Sequence, residues 1–189
     1  TTANIDIKSK VKNRIYKKYI PNVVNIVVEK GVTKIGNGAF ACMPKLKTAQ
    51  VQGKSGMAAF WDCANLEKVT YTNGAGTIGF ACFAECKKLK SVAIPEGISA
   101  IDKSCFANCK KLKQINLPST LKTIGENGFY GCTGLRIVTV KGRVTKCKIF
   151  AFYKVKNCKI ILKTKAAKKS KKVFAKELKQ EGNKKVKIK

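Results

Sequence analysis

The sequence predicts an α/β solenoid: a right-handed stack of short coils with one continuous parallel sheet, short helical turns on the other face, and a helical cap at the C-terminal end. Two observations predict it. A unit of the form I-G-x-x-x-F-x-x-C-x-x-L-x-x-V-x-I recurs at 23-residue intervals between Ile78 and Val140. It aligns Phe83, Phe106 and Phe129, then Cys86, Cys109 and Cys132, then Leu89, Leu112 and Leu135, then Val92, Ile115 and Val138. The lattice extends to Phe60 with Cys63, Leu66 and Val69, to Phe40 with Leu46 and Val51, and more faintly to Phe152 with Val155, Cys158 and Ile161. A unit this short buries its apolar face only against its neighbours, which is the logic of a stacked array. The second observation is a change of period inside the unit. The L-x-x-V-x-I segment alternates apolar with polar or small residues, as a strand does, whereas Phe106, Cys109 and Leu112 recur every three residues, as in a helical turn.

Taken in order, the chain reads as one domain over 1–189. Residues 1–30 form an N-terminal cap and an atypical first repeat, residues 31–162 the repeats, and residues 163–189 a Lys-rich C-terminal cap. Ile5-Asp-Ile7 alternates as a short strand, and Val23-x-x-Ile26-x-Val28 keeps the repeat spacing with Lys17 at the Phe position. Loss of the motif is expected where a terminal repeat must shield the core. Full units begin at Gly31. Gly36, Gly79 and Gly125 follow the apolar corner residue, consistent with a tight corner, and Pro95 and Pro118 end their strands. The interval from Phe40 to Phe60 is 20 residues, and Gln52–Met57 replaces the usual Ile-Gly corner, so a clipped loop and a local dislocation are expected there. From Lys163 the pattern changes to helical spacing, with Ala166 or Ala167, Ser170, Phe174 and Leu178, then Gly182 as a stop and Val186-Lys-Ile188 as a strand. Val173, Phe174 and Leu178 are expected inward. The lysines read as a solvated cap face or, alternatively, as a polyanion-binding helix.

Charge is the extreme feature of the composition. Forty Lys and Arg against ten Asp and Glu give a formal charge of +30, and only Arg14, Arg136 and Arg143 are arginine. Such charge attracts polyanions, but scattered Lys suits nonspecific contact better than the bidentate recognition that Arg provides. The chain opens without Met or an apolar leader, so the signal peptide expected of a secreted protein would be absent from it, and no run approaches the roughly 18 apolar residues of a membrane span.

The stretch Ile101-Asp-Lys-Ser-Cys-Phe106-Ala-Asn-Cys109-Lys-Lys-Leu112-Lys-Gln-Ile115-Asn-Leu117-Pro118 resembles the BspA-like class of leucine-rich repeats, and the resemblance covers about residues 20–162. It implies a leucine-rich-repeat stack. It also implies a secreted or cell-surface location, since the family occurs in surface proteins of gut and oral anaerobes and some mucosal protozoa, where members serve as adhesion or interaction modules. The departures are the clipped unit, Met43 at the motif Cys, and the decayed last unit with Cys147 and Val155.

Catalytic chemistry finds little support. The chain has no His, and Asp6, Asp62 and Asp102 form no recognisable pair. Cys82-x3-Cys86 and Cys105-x3-Cys109 could be drawn as a four-thiolate metal site. Their periodicity points instead to small buried residues, because Ala39, Ala59, Gly128 and Ala151 fill the position of Cys82 and Cys105. No catalytic residue, metal or cofactor is assigned, and an odd count of nine cysteines argues against a disulfide ladder. Trp61, beside Phe60, reads as a partly buried filler of the irregular unit or as an exposed aromatic. What remains is surface. Alternation sends Thr48, Gln50, Lys68, Thr70, Ser91, Ala93, Gln114, Asn116, Ile137 and Thr139 outward as a broad sheet face, and Lys87, Lys88 and Lys90 stack over Lys110, Lys111 and Lys113 as a basic rim. These point to a non-enzymatic module that binds protein or glycan, host extracellular matrix among the candidates, through the sheet face. The alternative is a basic anchoring protein that holds anionic wall polymer or nucleic acid nonspecifically.

Overall fold

Every aligned apolar position of the lattice except Ile161 is a core position. Phe60, Phe83, Phe106, Phe129 and Phe152 are fully buried, as are Leu66, Leu89, Leu112 and Leu135, within one hydrophobic cluster that runs from Ile26 to Val186. The computed structural model describes residues 20–29, 31–180 and 186–189. Lys17, Gly182 and the Ile5–Ile7 alternation lie outside the described residues. Among the described residues, a 3-10 turn at Ile20–Asn22 is followed by thirteen short strands in two series, seven in the first and six in the second, and then by the cap.

The first series carries the L-x-x-V-x-I segments: β1 (Asn25–Val27), β3 (Thr48–Gln52), β5 (Lys68–Asn73), β7 (Ser91–Ala93), β9 (Gln114–Leu117), β11 (Ile137–Val140) and β13 (Cys158–Leu162). All pairing is parallel. The expected single sheet is divided into two ladders, β1-β3-β5-β7 and β14-β13-β11-β9, with β7 and β9 side by side but unladdered. The break falls where three rim lysines stack on three others. The second series takes the Ile-Gly corners, β2 (Lys34–Ile35), β4 (Lys54–Ser55), β6 (Gly76–Ile78), β8 (Ile98–Ile101), β10 (Thr123–Ile124) and β12 (Lys146–Cys147), and forms a six-stranded sheet of its own. At these corners glycine serves close approach of the backbones: a Cβ on Gly79 would sit 2.7 Å from Gly56 C and Ser55 O, and one on Gly125 would sit 2.5 Å from Lys103 N.

The third side holds the segments expected to be short helices, and there the structure corrects the sequence. These are turns without helix. Each of the six coils has two left-handed residues four apart: Gly38 and Cys42, Ala58 and Asp62, Ala81 and Glu85, Ser104 and Asn108, Asn127 and Gly131, Phe150 and Lys154. A helix cannot pass through them. In the first five coils their amides turn sideways and donate to the next coil, as do those of the Phe residues: Ser104, Phe106 and Asn108 donate to the carbonyls of Glu126, Gly128 and Tyr130 at 2.8, 2.9 and 2.7 Å. The same triplet recurs from Gly38 to Gly131, so a third backbone ladder runs beside the sheets. A left-handed residue costs on the order of 1–2 kcal/mol, against which each ladder bond returns about 1 kcal/mol net and the Phe burial roughly 1.5–3 kcal/mol. Beneath this ladder the rings of Phe60, Phe83, Phe106, Phe129 and Phe152 stack at 5.3 to 5.5 Å with interplanar angles of 5° to 14°.

The clipped second coil shows the expected dislocation as a register shift between Val51 and Gln52 against β5. Its core is filled by an exchange of sizes. Ser55 occupies the position of Ile35, Ile78 and Ile101, and Tyr71 occupies the position of Val51 and Leu117; the two buried hydroxyls share a 2.7 Å hydrogen bond. The Tyr71 ring meets Phe83 edge-on at 6.4 Å. A second correction concerns the last coil. Ile160, not Ile161, pairs with Val138 and is buried, because this coil is one residue shorter, and Ile161 is half-exposed.

The cap comprises α1 (Lys165–Lys168), α2 (Lys171–Gln180) and β14 (Val186–Ile188), the last paired with β13. Thr164 caps α1 by accepting from Ala167 N at 3.0 Å, and the Ser170 hydroxyl, between the helices, accepts from Val144 N at 2.9 Å. Ala167, Ser170, Phe174 and Leu178 are buried, and Phe174 ends the aromatic column 6.2 Å from Phe152. Val173, expected inward, is only half-buried, since it lies off the stripe these four define.

Candidate binding surfaces

The outward residues of the first strand series fall into rows, because parallel pairing without slippage places equivalent residues side by side about 4.8 Å apart. Thr48, Lys68 and Ser91 form one row, and Gln50, Thr70 and Ala93 a second. Beyond the break, Gln114 pairs with Ile137 and Asn116 with Thr139. All ten are exposed or half-exposed, while Ala49, Val69, Val92, Ile115 and Val138 between them are buried. The rows also take in residues that sequence reasoning missed. Asn25 and Val27 extend them at one end, with Thr48 Oγ1 donating to Asn25 Oδ1 at 2.7 Å, and Lys159, Ile161 and Lys187 extend them at the other. The signal for Asn25 and Val27 was the Val23–Val28 spacing. Lys159 required the one-residue deletion to be known.

The basic rim lies at the N-terminal ends of these strands, and all six lysines are exposed. Its two halves differ. Lys88 donates to Asn65 Oδ1 at 2.7 Å, Lys90 pairs with Glu67 at 2.6 Å and Lys87 approaches Glu85 at 3.7 Å. The hydrogen bond from Lys90, with its charge, holds the Glu67 carboxyl below its ordinary range. Lys110, Lys111 and Lys113 have no such acceptors among the described residues: the sites that match Asn65 and Glu67 hold Lys88 and Lys90, and the site that matches Glu85 holds Asn108.

The cysteines occupy the core. Cys63, Cys86, Cys109 and Cys132 donate their thiols to the carbonyls of Phe40, Phe60, Phe83 and Phe106 at 3.0, 3.2, 3.2 and 3.0 Å. The motif Cys is thus a small residue that also occupies a carbonyl of the preceding coil. Burial pushes Cys82 up to about 12 and Cys86, Cys105 and Cys109 well above the ordinary thiol range, the reverse of a metal-ready thiolate. None of the nine is in a disulfide, and no group of three or more His, Cys, Asp or Glu among the described residues is placed to hold a metal ion. Among the described residues no helix is long and apolar enough to cross a membrane.

On the third side the structure exposes large apolar side chains, and of the two readings of Trp61 it supports the exposed aromatic over the partly buried filler. Trp61 is 41% exposed, which settles its position as surface, and Met57 and Phe80 are exposed on the same side of the stack. A second group, Ile149, Phe150 and Tyr153, lies on the last coil.

A family model described as the BspA type leucine rich repeat region matches residues 2–56 and 53–180 in six copies. Among solved structures, a leucine-rich repeat protein from Bacteroides ovatus superposes with a TM-score of 0.74 at 24% identity, covering 89% of this chain and 42% of that one. A leucine rich cell surface protein from Faecalibacterium prausnitzii gives 0.59 at 22%, covering 74% and 47%, and the pneumococcal vaccine antigen PcpA gives 0.53 at 15%, covering 88% and 60%. The chain therefore spans less than half the length of the first two, and at such identities the likeness concerns the fold. No protein of curated function matches the sequence.

Proposed function

The chain belongs to the BspA-type leucine-rich repeat family, and from that premise we propose that it is a non-enzymatic binding module, secreted or displayed at a cell surface, that takes protein or glycan on its sheet face. One observation carries this reading. The outward rows of β1 to β7 and of β9 to β13 present mostly small and polar side chains, in register within each ladder, and among the described residues no helix is laid over them. Such a face offers shape and hydrogen bonding over several coils at little desolvation cost. Residues 1–189 act as one domain in this reading, and host matrix glycoprotein is a fitting partner. The relative from Faecalibacterium prausnitzii, described as a cell surface protein, supports the location.

The test is retention on immobilised matrix glycoprotein, bacterial envelope and duplex DNA across salt from about 50 to 500 mM. Binding to one of them that survives high salt, and is lost in the double variant Gln114→Arg and Asn116→Arg, is the expected result. Unchanged binding in that variant overturns the sheet-face assignment. A second reading, nonspecific anchoring on a wall polymer or nucleic acid, is favoured by Lys110, Lys111 and Lys113, which lack acidic partners among the described residues. It predicts retention on all three supports that collapses with salt and is tightened, not lost, by the two arginines.

A further inference from the structure

The last coil departs from the others on the third side. At the first left-handed position earlier coils carry Gly38, Ala58, Ala81, Ser104 and Asn127, residues that are small or tolerate that backbone; the last carries Phe150 at φ 60°. A bulky aromatic there is a genuine outlier. Phe150 is nonetheless 39% exposed, beside Ile149 at 46% and Tyr153 at 39%, so neither the backbone nor burial of its ring accounts for it. The rings are held in place. Phe150 meets Tyr153 at 5.4 Å and 63°, Tyr153 stacks on Tyr130 at 5.8 Å, and Lys154 Nζ lies 5.1 Å from the Tyr130 ring centre.

The charge around them has one sign. The same coil carries Arg143, Lys146, Lys148, Lys154 and Lys156, all exposed, and between Glu126 and Glu177 the chain contains no acidic residue. Glu126, on the coil beneath Ile149, is engaged by Lys103 at 3.0 Å. Fixed apolar tips inside a ring of cations need an acceptor that is anionic outside and apolar within. A second copy of a +30 chain would repel, and a fully hydrated polyanion gives Ile149 and Phe150 nothing to enter. We propose that the Ile149–Phe150 turn, with Tyr153, inserts into the interface of an anionic lipid bilayer. Ile149 and Phe150 enter among the headgroups, the Tyr rings sit at headgroup level, and the lysines face the lipid phosphates and carboxylates. This face lies on a different side of the stack from the rows of the sheet, so the two proposals stand or fall separately.

The test is binding of the full 189-residue chain to phosphatidylcholine vesicles, neutral or containing about one third phosphatidylserine. The informative variant is I149K with F150N, whose residues stand at the same two positions in other coils as Lys103 and Asn127. Asn favours the left-handed backbone, so the variant folds at least as well, which a thermal midpoint verifies. It is also one positive charge richer. Insertion predicts that it binds anionic vesicles about tenfold or more weakly than the parent. Binding at parental strength, or binding to a sulfated polysaccharide or duplex DNA with none to vesicles, overturns the proposal. In a second experiment Phe150→Trp is introduced with Trp61→Phe, leaving one reporter. A blue shift of emission on anionic vesicles supports insertion, and unchanged emission from the vesicle-bound protein refutes it.

Discussion

The third and fourth coils and the second coil solve the same packing problem differently. In the former every lattice position holds its usual residue: Ile78 and Ile101 at the corner, Phe83 and Phe106 in the column, Cys86 and Cys109 bonded to the coil behind. The second coil is shorter and lacks its corner Ile, yet its core is equally closed, because Tyr71 on the neighbouring strand fills what Ser55 leaves and gives that serine its hydrogen-bond partner. The stack fixes volume per coil, not the identity of each residue. A deficit at one position is made good across the coil from another.

Alkaline titration should sharpen this contrast with the largest effect. Burial raises the thiol pKa of Cys82 from about 9 to about 12, and those of Cys86, Cys105 and Cys109 also rise. Between these values the unfolded chain has released protons that the folded chain keeps. For Cys82, stability is therefore full below pH 9 and falls as pH rises toward 12, by about 1.4 kcal/mol per pH unit, and the other three thiols act in the same direction. Circular dichroism against pH should show cooperative unfolding in this range. Cys105→Ala, with the residue found at that position in other coils, should flatten the slope.

The exchange in the second coil is tested by a double-mutant cycle. Ser55→Ile alone overfills the site and should cost about 1–3 kcal/mol, while Ser55→Ile with Tyr71→Val returns the coil to the common pattern and should recover most of it. A coupling energy of about 1–3 kcal/mol from chemical denaturation is expected, and strict additivity would show that the two residues are not exchanged volumes. The smallest effect concerns the third side, which both regions share. Ala58, at φ 53°, should accept Gly with a gain of up to about 1 kcal/mol and a melting point a few degrees higher.

Particular residues mark how far the sequence could be read. The Phe, Leu and Val positions were legible because identical spacing over several units can arise only from identical burial. The outward rows Thr48, Lys68, Ser91 and Gln50, Thr70, Ala93 were legible as strand alternation, and the structure adds their register. The turns were misread because Ala81, Ser104 and Glu85 sit in left-handed conformations that only glycine would have signalled. Ile161 was aligned with the core because a single-residue deletion leaves no mark in so faint a repeat. The Tyr71–Ser55 pair joins opposite sides of a coil, and Tyr153 meets Tyr130 of the coil before, contacts that no local pattern announces.

By itself the sequence determined that this chain stacks in 23-residue units, which residues face the core, and that its surface is strongly cationic. Those properties follow from residue type and spacing, and burial of a periodic apolar set leaves one solution. Tertiary structure decided where backbone amides go and which side chains meet across coils. Whether Phe106 N–H bonds within its own turn or to Gly128 of the next coil depends on a neighbour some twenty residues away arriving at hydrogen-bond distance, and that is settled only when the coils stack.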